Sequence, residues 1–307
     1  MGSVGVTRPL ASAARIARFT AVMYKPHYLL YGVLWVLGLE GTASLVTQPD
    51  SEWRPTGATV VRIVVVAFVL LYLRMVDEQK DLEYDRVHNP DRPLVTGAVS
   101  AVELRVAMGL IAVGAVAGSL ALSVGSAVMI TVAMAYGLVL WGLERLFDTV
   151  RTGILVNLVV TYPVQLLVTG YVVVSAIDTG EVRAHWRAAA VAAVFAGAFL
   201  QFEFARKTSR ERRPDELLYS NALGPNGSAA ASLLCAAAAV VVDLVLVRPW
   251  DHSVSLIAWL VVALLLIPAI GAWKFVRGDR TEYPIGPAVV FILALYLTLI
   301  GQALVLP

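Results

Sequence analysis

The sequence predicts an all-α protein that crosses a membrane nine times. Of its 307 residues, 59% are hydrophobic and only 15% are charged, against roughly a quarter charged in soluble domains. Mean hydropathy is +0.76. The charges are bunched between apolar runs, and those runs reach the roughly 20 residues that a helix needs to cross the hydrocarbon layer.

By that length the spans fall at 20–46, 58–76, 99–121, 126–143, 153–178, 186–205, 227–247, 254–273 and 284–306. Lys25, Pro26 and His27 interrupt the first, which predicts a kinked or interfacial start. Pro163 and Pro268 lie inside the fifth and eighth spans and predict kinks there, because proline removes a helical N–H. The first fifteen residues lack a secretory-signal layout, and Arg15, Arg18 and Lys25 read as a basic arm flanking the first span. The one cysteine, Cys235, sits in an alanine-rich apolar run. It excludes an internal disulfide and CxxC-type zinc ligation. No HExxH, GxSxG or Walker sequence is present. Membrane lipid is the expected surrounding, and no nucleic-acid partner is expected.

The basic residues orient the spans. Nineteen of the 24 Lys and Arg fall in the N-terminal arm and the loops after spans two, four, six and eight. The positive-inside rule places those segments in the cytoplasm and the C-terminus on the opposite side.

Where the second span ends, Asp77, Asp81 and Asp85 recur at four-residue intervals. On one helix they share a face, and three carboxylates on one face repel unless a cation sits between them. A hard divalent cation of the Mg²⁺ type prefers such oxygen ligands and is usually shared with substrate phosphates. All three are therefore candidate metal ligands and catalytic residues. The chain continues into Asn89-Pro90-Asp91-Arg92-Pro93, where two prolines end the helix and a turn returns the arginine towards the acids. Lys80, Arg86 and Arg92 are candidate diphosphate ligands, because guanidinium forks and ammonium groups bind phosphate oxygens. A solvated, salt-bridged helix end accounts for mixed charge but not for the strict register. His88, in the same turn, is a further candidate base.

Within the fifth span Asn157, Thr161 and Gln165 share one face. They either line a substrate pocket for an acceptor or carbocation, or hydrogen-bond neighbouring helices. Tyr72, with Tyr24, His27 and Tyr28, would stack beside a cationic intermediate, or would sit at the interface as aromatics commonly do.

Residues 77–97 resemble the first signature of the UbiA superfamily of intramembrane prenyltransferases. That signature is an Asn or Asp followed by two Asp at four-residue spacing, then an N-x-P-D-R-P-like turn and a Gly, here Asp77, Asp81, Asp85, Asn89 to Pro93 and Gly97. The resemblance implies a nine-helix bundle with a central cavity open to the cytoplasmic side. It also implies acidic motifs in the loops after spans two and six. It covers 1–307 as a single domain, with an arm at 1–19, a first motif loop at 77–98 and a second at 203–224.

The second motif departs from the family pattern. Glu203 stands in its first acidic position and is implied as a catalytic metal ligand, but Lys207 stands in the second. Glu211 and Asp215 follow, and Tyr219-Ser220 with Leu223-Gly224 fits the motif's tail. A lysine cannot bind Mg²⁺. Arg206 and Lys207 either contact diphosphate, replacing metal charge with side-chain charge, or belong to a positive stop signal running to Arg213. Arg145 and Arg151, and the 274–283 loop, are likewise diphosphate ligands or orientation signals.

The activity implied is Mg²⁺-dependent ionisation of a prenyl diphosphate and transfer of the prenyl group to an aromatic, quinone-like or other lipophilic acceptor, with release of diphosphate. The same site in a terpene cyclase lets the substrate's own double bonds capture the cation. A transporter is a distant alternative, since its ligands normally lie near the bilayer midplane, whereas these acids lie at its edge.

Overall fold

The computed structural model describes residues 7–214, 216–251 and 256–306, with side chains from residue 10. Asp215, named above in the second motif, lies outside the described residues. Helix α1 (Thr7–Met23) is separate from the first span, α2 (Pro26–Thr47). The span therefore begins at Pro26 and not at 20, because Pro26 supplies a preformed first helical turn and needs no N–H there. α1 is held by Ser12, which donates to Glu103 at 2.5 Å, and by Arg15, whose Nε donates to the same carboxylate at 2.9 Å.

The second span is α3 (Gly57–Lys80), followed by the short α4 (Leu82–His88). Then come α5 (Ala101–Leu120), α6 (Val124–Leu146) and the short α7 (Asp148–Thr152). Local sequence fixes their starts. Thr56 and Ser100 each form a reciprocal capping box with the residue three positions on, and Ser123 caps α6.

The fifth span is broken into α8 (Ile154–Thr161) and α9 (Pro163–Asp178) at the expected proline. The sixth comprises α10 (Trp186–Ala190) and α11 (Ala192–Arg206). The seventh, α12 (Tyr219–Val247), starts earlier than the apolar run suggested. Gly224 at φ 73° turns the chain in a conformation that side chains rarely adopt, and Pro225 restarts the helix beyond it. The eighth span is α13 (Leu256–Leu264) plus α14 (Leu266–Arg277), and the ninth is α15 (Ile285–Val305).

Among the described residues nine helical segments are long and apolar enough to cross a membrane. The chain is an integral, multi-pass membrane protein. α5 shows the two-sided pattern of such a helix. Val102, Val106, Leu110 and Val113 are exposed, whereas Leu104, Ala107 and Met108 are buried. α11 and α12 approach backbone to backbone, where a Cβ on Gly197 would stand 2.7 Å from the Cys235 carbonyl oxygen. Small residues give membrane helices this contact, since lipid tails offer no hydrophobic drive to association.

At the end of the bundle remote from the Asp motif, Arg62 is fully buried. Its guanidinium bonds Glu40 at 2.6 Å, Glu181 at 2.7 Å and the Ser175 hydroxyl at 3.0 Å. Thr59 and the Trp53 indole also donate to Glu40. This network ties α2, α3 and α9 together, and pairing is what allows these charges to be buried. With that end locked, the opposite ends of α3, α6, α8 and α11 frame a cavity.

Candidate functional site

The cavity has a volume of about 1290 Å³. Its charged wall comes from helix ends and the loops beside them, including Asp77, Lys80 and Asp81, Glu144, Arg145 and Arg151, and Glu203, Arg206 and Lys207. Its inner wall is uncharged and aromatic, with Tyr31, Trp35, Trp141, Tyr162 and Phe199.

Asp77 lies on the last turn of α3 and Asp81 at its end. Their side chains are 50% and 42% exposed, and both line the cavity. Lys80 stands among the acids, with its Nζ 3.6 Å from Asp77, 3.9 Å from Asp81 and 3.1 Å from Glu144. Burial pushes the Asp81 carboxyl up to about 6. Lys80 opposes that rise, and the charges of Asp77, Glu144 and Asp85 add to it.

Asp85 does not share that face. The helix is interrupted at Asp81 (φ −89°, ψ 7°), and the rotation between α3 and α4 turns Asp85 inward. Its side chain is 2% exposed, pairs with Arg92, and accepts from Asn89 Nδ2 at 2.9 Å. Arg92 also reaches Glu78 at 3.0 Å, and Arg74 holds Glu78 at 2.6 Å. The Asn89–Pro93 turn thus brings Arg92 back, and Arg92 lines the cavity while clamping two buried acids. Arg86 pairs with exposed Glu83 at 2.7 Å and lines none of the cavity. His88 stacks on Tyr84 with ring centres 4.0 Å apart, also outside the cavity lining.

On the facing wall both Glu203 oxygens are taken by Arg206, at 2.6 and 2.8 Å, and Lys207 lies 3.6 Å away. Lys207 also stands 5.5 Å over the Tyr219 ring, which packs against Phe204. Burial lowers the Lys207 ammonium from its ordinary value despite the Glu203 charge, and Arg206 and Lys80 push the same way. Arg210 and Arg213, further along this basic run, are structural. Arg210 donates to the carbonyls of Val276 at 3.1 Å and Gly278 at 2.8 Å, capping α14. Arg213 pairs with Glu282, Glu216 and Glu211. A bridge between Ser209 and Glu282 clips the second motif loop to the loop before α15.

Of the fifth-span trio, Asn157 donates to Glu144 at 3.1 Å and to the Val150 carbonyl at 3.2 Å, and Thr161 donates to the Asn157 carbonyl at 2.7 Å. All three line the cavity. Tyr72 is buried among core residues and does not line it, and neither do Tyr24, His27 and Tyr28, whose rings contact one another. Sequence reasoning overlooked Glu144 and the aromatic wall. Trp141 and Glu144, three residues apart at the end of a span, and Tyr31 with Trp35, four apart, carried the available signal.

The acids fit a hard cation in one place. Asp77 and Asp81, one turn apart, present oxygen donors to the cavity, and Mg²⁺ commonly takes one or two carboxylates with phosphate and water completing its shell. Glu203 is already committed to Arg206. Among the described residues no three His, Cys, Asp or Glu side chains converge closely enough to hold a metal by themselves.

A nine-helix membrane bundle with this two-part cavity has the UbiA fold. A UbiA homologue from Aeropyrum pernix aligns at a TM-score of 0.59 and 19% identity, over 89% of this chain and 96% of that one. A UbiA homologue from Archaeoglobus fulgidus, bound to DMAPP and Mg²⁺, gives 0.61 and 13%, over 94% and 98%. A structure described for digeranylgeranylglyceryl phosphate synthase gives 0.59 and 12%, over 95% and 99%. At these identities the likeness establishes the fold. No family model and no curated protein matches the sequence.

Proposed function

We propose that the chain, as one unit, is a divergent UbiA-type prenyltransferase whose cavity mouth faces the cytoplasm. The observation that carries this reading is the division of one cavity into a mouth of carboxylates and cations and an uncharged aromatic interior. A prenyl diphosphate has the same two halves. The A. fulgidus homologue, with DMAPP or with GPP and Mg²⁺ bound, supports the reading by its shared fold.

Asp77 and Asp81 are the residues that would hold Mg²⁺, which would supply charge neutralisation for the diphosphate. Arg206, Lys207, Arg145, Arg151 and Arg92 surround the phosphate oxygens and stabilise the charge that grows as the C1–O bond breaks. Lys80 keeps the acids from repelling the incoming anion. Asp85 and Glu78 hold Arg92 in place. The inner wall excludes water from the allylic cation, and the faces of Tyr31, Trp35, Trp141, Tyr162 and Phe199 attract it.

Capture by a lipophilic acceptor gives transfer. Capture by the substrate's own double bonds gives a cyclic terpene, and the aromatic wall favours this second reading. Purified protein incubated with C10 to C25 prenyl diphosphates, with and without a phenolic acceptor, tests both. Diphosphate release that needs Mg²⁺ and is lost in Asp81→Asn is the expected result. Release that survives both EDTA and Asp81→Asn would remove the site from consideration.

A further inference from the structure

One carboxylate lies deep in the bundle where the proposed reaction has no use for it. Asp243, on α12 one turn before its end, is fully buried, and Gln302 on α15 is fully buried with it. Neither lines the cavity. Among the described residues the Gln302 amide is the one side chain bonded to Asp243, with Nε2 donating to Oδ2 at 3.3 Å. Asp243 Oδ1 and Gln302 Oε1 have no partner. Arg248, five residues on, is exposed and paired with Asp251 at 3.0 Å. A buried carboxylate held only by a neutral amide carries a desolvation cost that these contacts do not offset.

The oxygens around Gln302 have the spacing of a metal shell. Its Nε2 stands 3.3 Å from Asp243 Oδ2 and 3.5 Å from the carbonyl oxygens of Ile257 and Ala258, both in the first turn of α13. N–H···O bonds are normally about 2.9–3.0 Å, so all three contacts are long. The two ends of an amide have the same shape, and a half-turn of the group exchanges donor for acceptor. Gln302 Oε1 then stands among three other oxygens at that spacing. An ion of calcium's size takes oxygen ligands at about 2.4 Å, and neighbouring vertices of such an octahedron lie about 3.4 Å apart. Mg²⁺, at about 2.0–2.1 Å, would need the oxygens drawn in to about 2.9 Å.

We propose that Asp243 and Gln302, with the carbonyls of Ile257 and Ala258, bind a sodium ion that ties α12, α13 and α15 together. Sodium has the size of calcium and half its charge, so one carboxylate makes the buried site neutral. A divalent ion would leave a net positive charge among apolar helices. The ion gives Gln302 Oε1 the partner it lacks, and Asp243 binds it through one oxygen or both. Backbone carbonyls of interrupted helices coordinate Na⁺ elsewhere in membrane bundles, and the eighth span is interrupted between α13 and α14. Asp243 stands 24 residues along α12 from Tyr219, which lines the cavity. The site therefore acts on the stability of the bundle's remote end and not on the phosphate mouth.

The test uses purified full-length protein without substrate or Mg²⁺, so its result does not depend on the prenyl-transfer reading. Thermal unfolding is followed in chloride salts of sodium, potassium or N-methyl-D-glucamine at equal ionic strength. Raising Na⁺ from about 1 to about 200 mM should lift the midpoint by about 3 °C or more, because the ion binds only the folded chain. Potassium should give less than about a third of that shift, since its larger shell does not fit the oxygen spacing. Binding of ²²Na⁺ should saturate near one ion per chain. Asp243→Asn, which keeps the shape and removes the charge, should lose both the sodium-dependent shift and the bound ²²Na⁺. Gln302→Leu should weaken ²²Na⁺ binding by about tenfold or more, the effect of one lost ligand. Midpoints that are the same in all three salts, or equal shifts with sodium and potassium, would overturn the inference on wild type alone, whether or not the variants fold. So would ²²Na⁺ binding that survives Asp243→Asn. A proton held by Asp243 in place of sodium would show as no sodium response, with Asp243→Asn at least as stable as wild type.

Discussion

Lys80 places its ammonium 3.1 Å from the Glu144 carboxylate, at the centre of a group that also contains Asp77 and Asp81. A fixed monovalent cation thus neutralises part of the charge that a divalent ion would use. Lys80→Met should therefore bind Mg²⁺ or Mn²⁺ about tenfold more tightly, since unit charges about 4 Å apart interact by 1 kcal/mol or more. Titration of Mn²⁺ followed by electron paramagnetic resonance measures this. Equal or weaker binding would mean that Lys80 does not compete with the metal.

Lys207 faces the same cavity across from the Asp pair, held 3.6 Å from Glu203. If its charge serves diphosphate, Lys207→Met should raise KM for a prenyl diphosphate by about 10- to 100-fold, the value of one charge-assisted hydrogen bond. Arg210→Met, which uncaps α14, should lower the thermal midpoint and leave KM nearly unchanged. Identical kinetics for Lys207→Met and wild type would return Lys207 to a purely topological role.

Asp81 and Asp85 look equivalent in the sequence but should behave differently. Asp81→Ala is expected to weaken Mg²⁺ binding and abolish diphosphate release with little change in thermal midpoint. Asp85→Ala frees Arg92 and Asn89 and leaves a buried guanidinium short of a partner. A loss of about 3 kcal/mol in stability is expected, with the metal titration intact. Thermal unfolding and Mn²⁺ titration of both variants separate the two roles, and matching profiles would contradict the geometry.

Glu181 supplies the pH dependence. Burial alone would raise its carboxyl, but hydrogen bonds from Thr179 and Thr56 and the Arg62 charge more than offset this and hold it below the ordinary 4.5. A depressed carboxyl stabilises the fold fully above its unfolded value, and that contribution is lost as pH falls through the folded value. Glu181→Gln should therefore cost about 2 kcal/mol at pH 7, with the difference from wild type shrinking below about pH 4.5. A difference in thermal midpoint that is constant from pH 7 to pH 3.5 would contradict the assignment.

The spans were legible because membrane insertion is decided by local composition. Each run of apolar residues declares itself without reference to its neighbours, and Pro163 breaks the fifth span where its sequence places it. The start of α12 was not legible. Tyr219 to Leu223 form a helical turn ahead of Gly224 and Pro225, and those two residues alone suggest a boundary instead of a continuation.

The sequence by itself determined the class of protein, the density of charge at one end of the bundle, and the residue types able to handle a diphosphate. These follow from counting and from helical spacing. Only the tertiary structure decided that Asp85 turns inward to Arg92, that Glu144 joins Asp77 and Asp81 around Lys80, and that Gln165 stays unbonded inside an aromatic wall. The first depends on the interruption of the helix at Asp81, and the second on side chains 64 residues apart in the sequence, Lys80 and Glu144, meeting in space. No periodicity within one helix encodes such meetings.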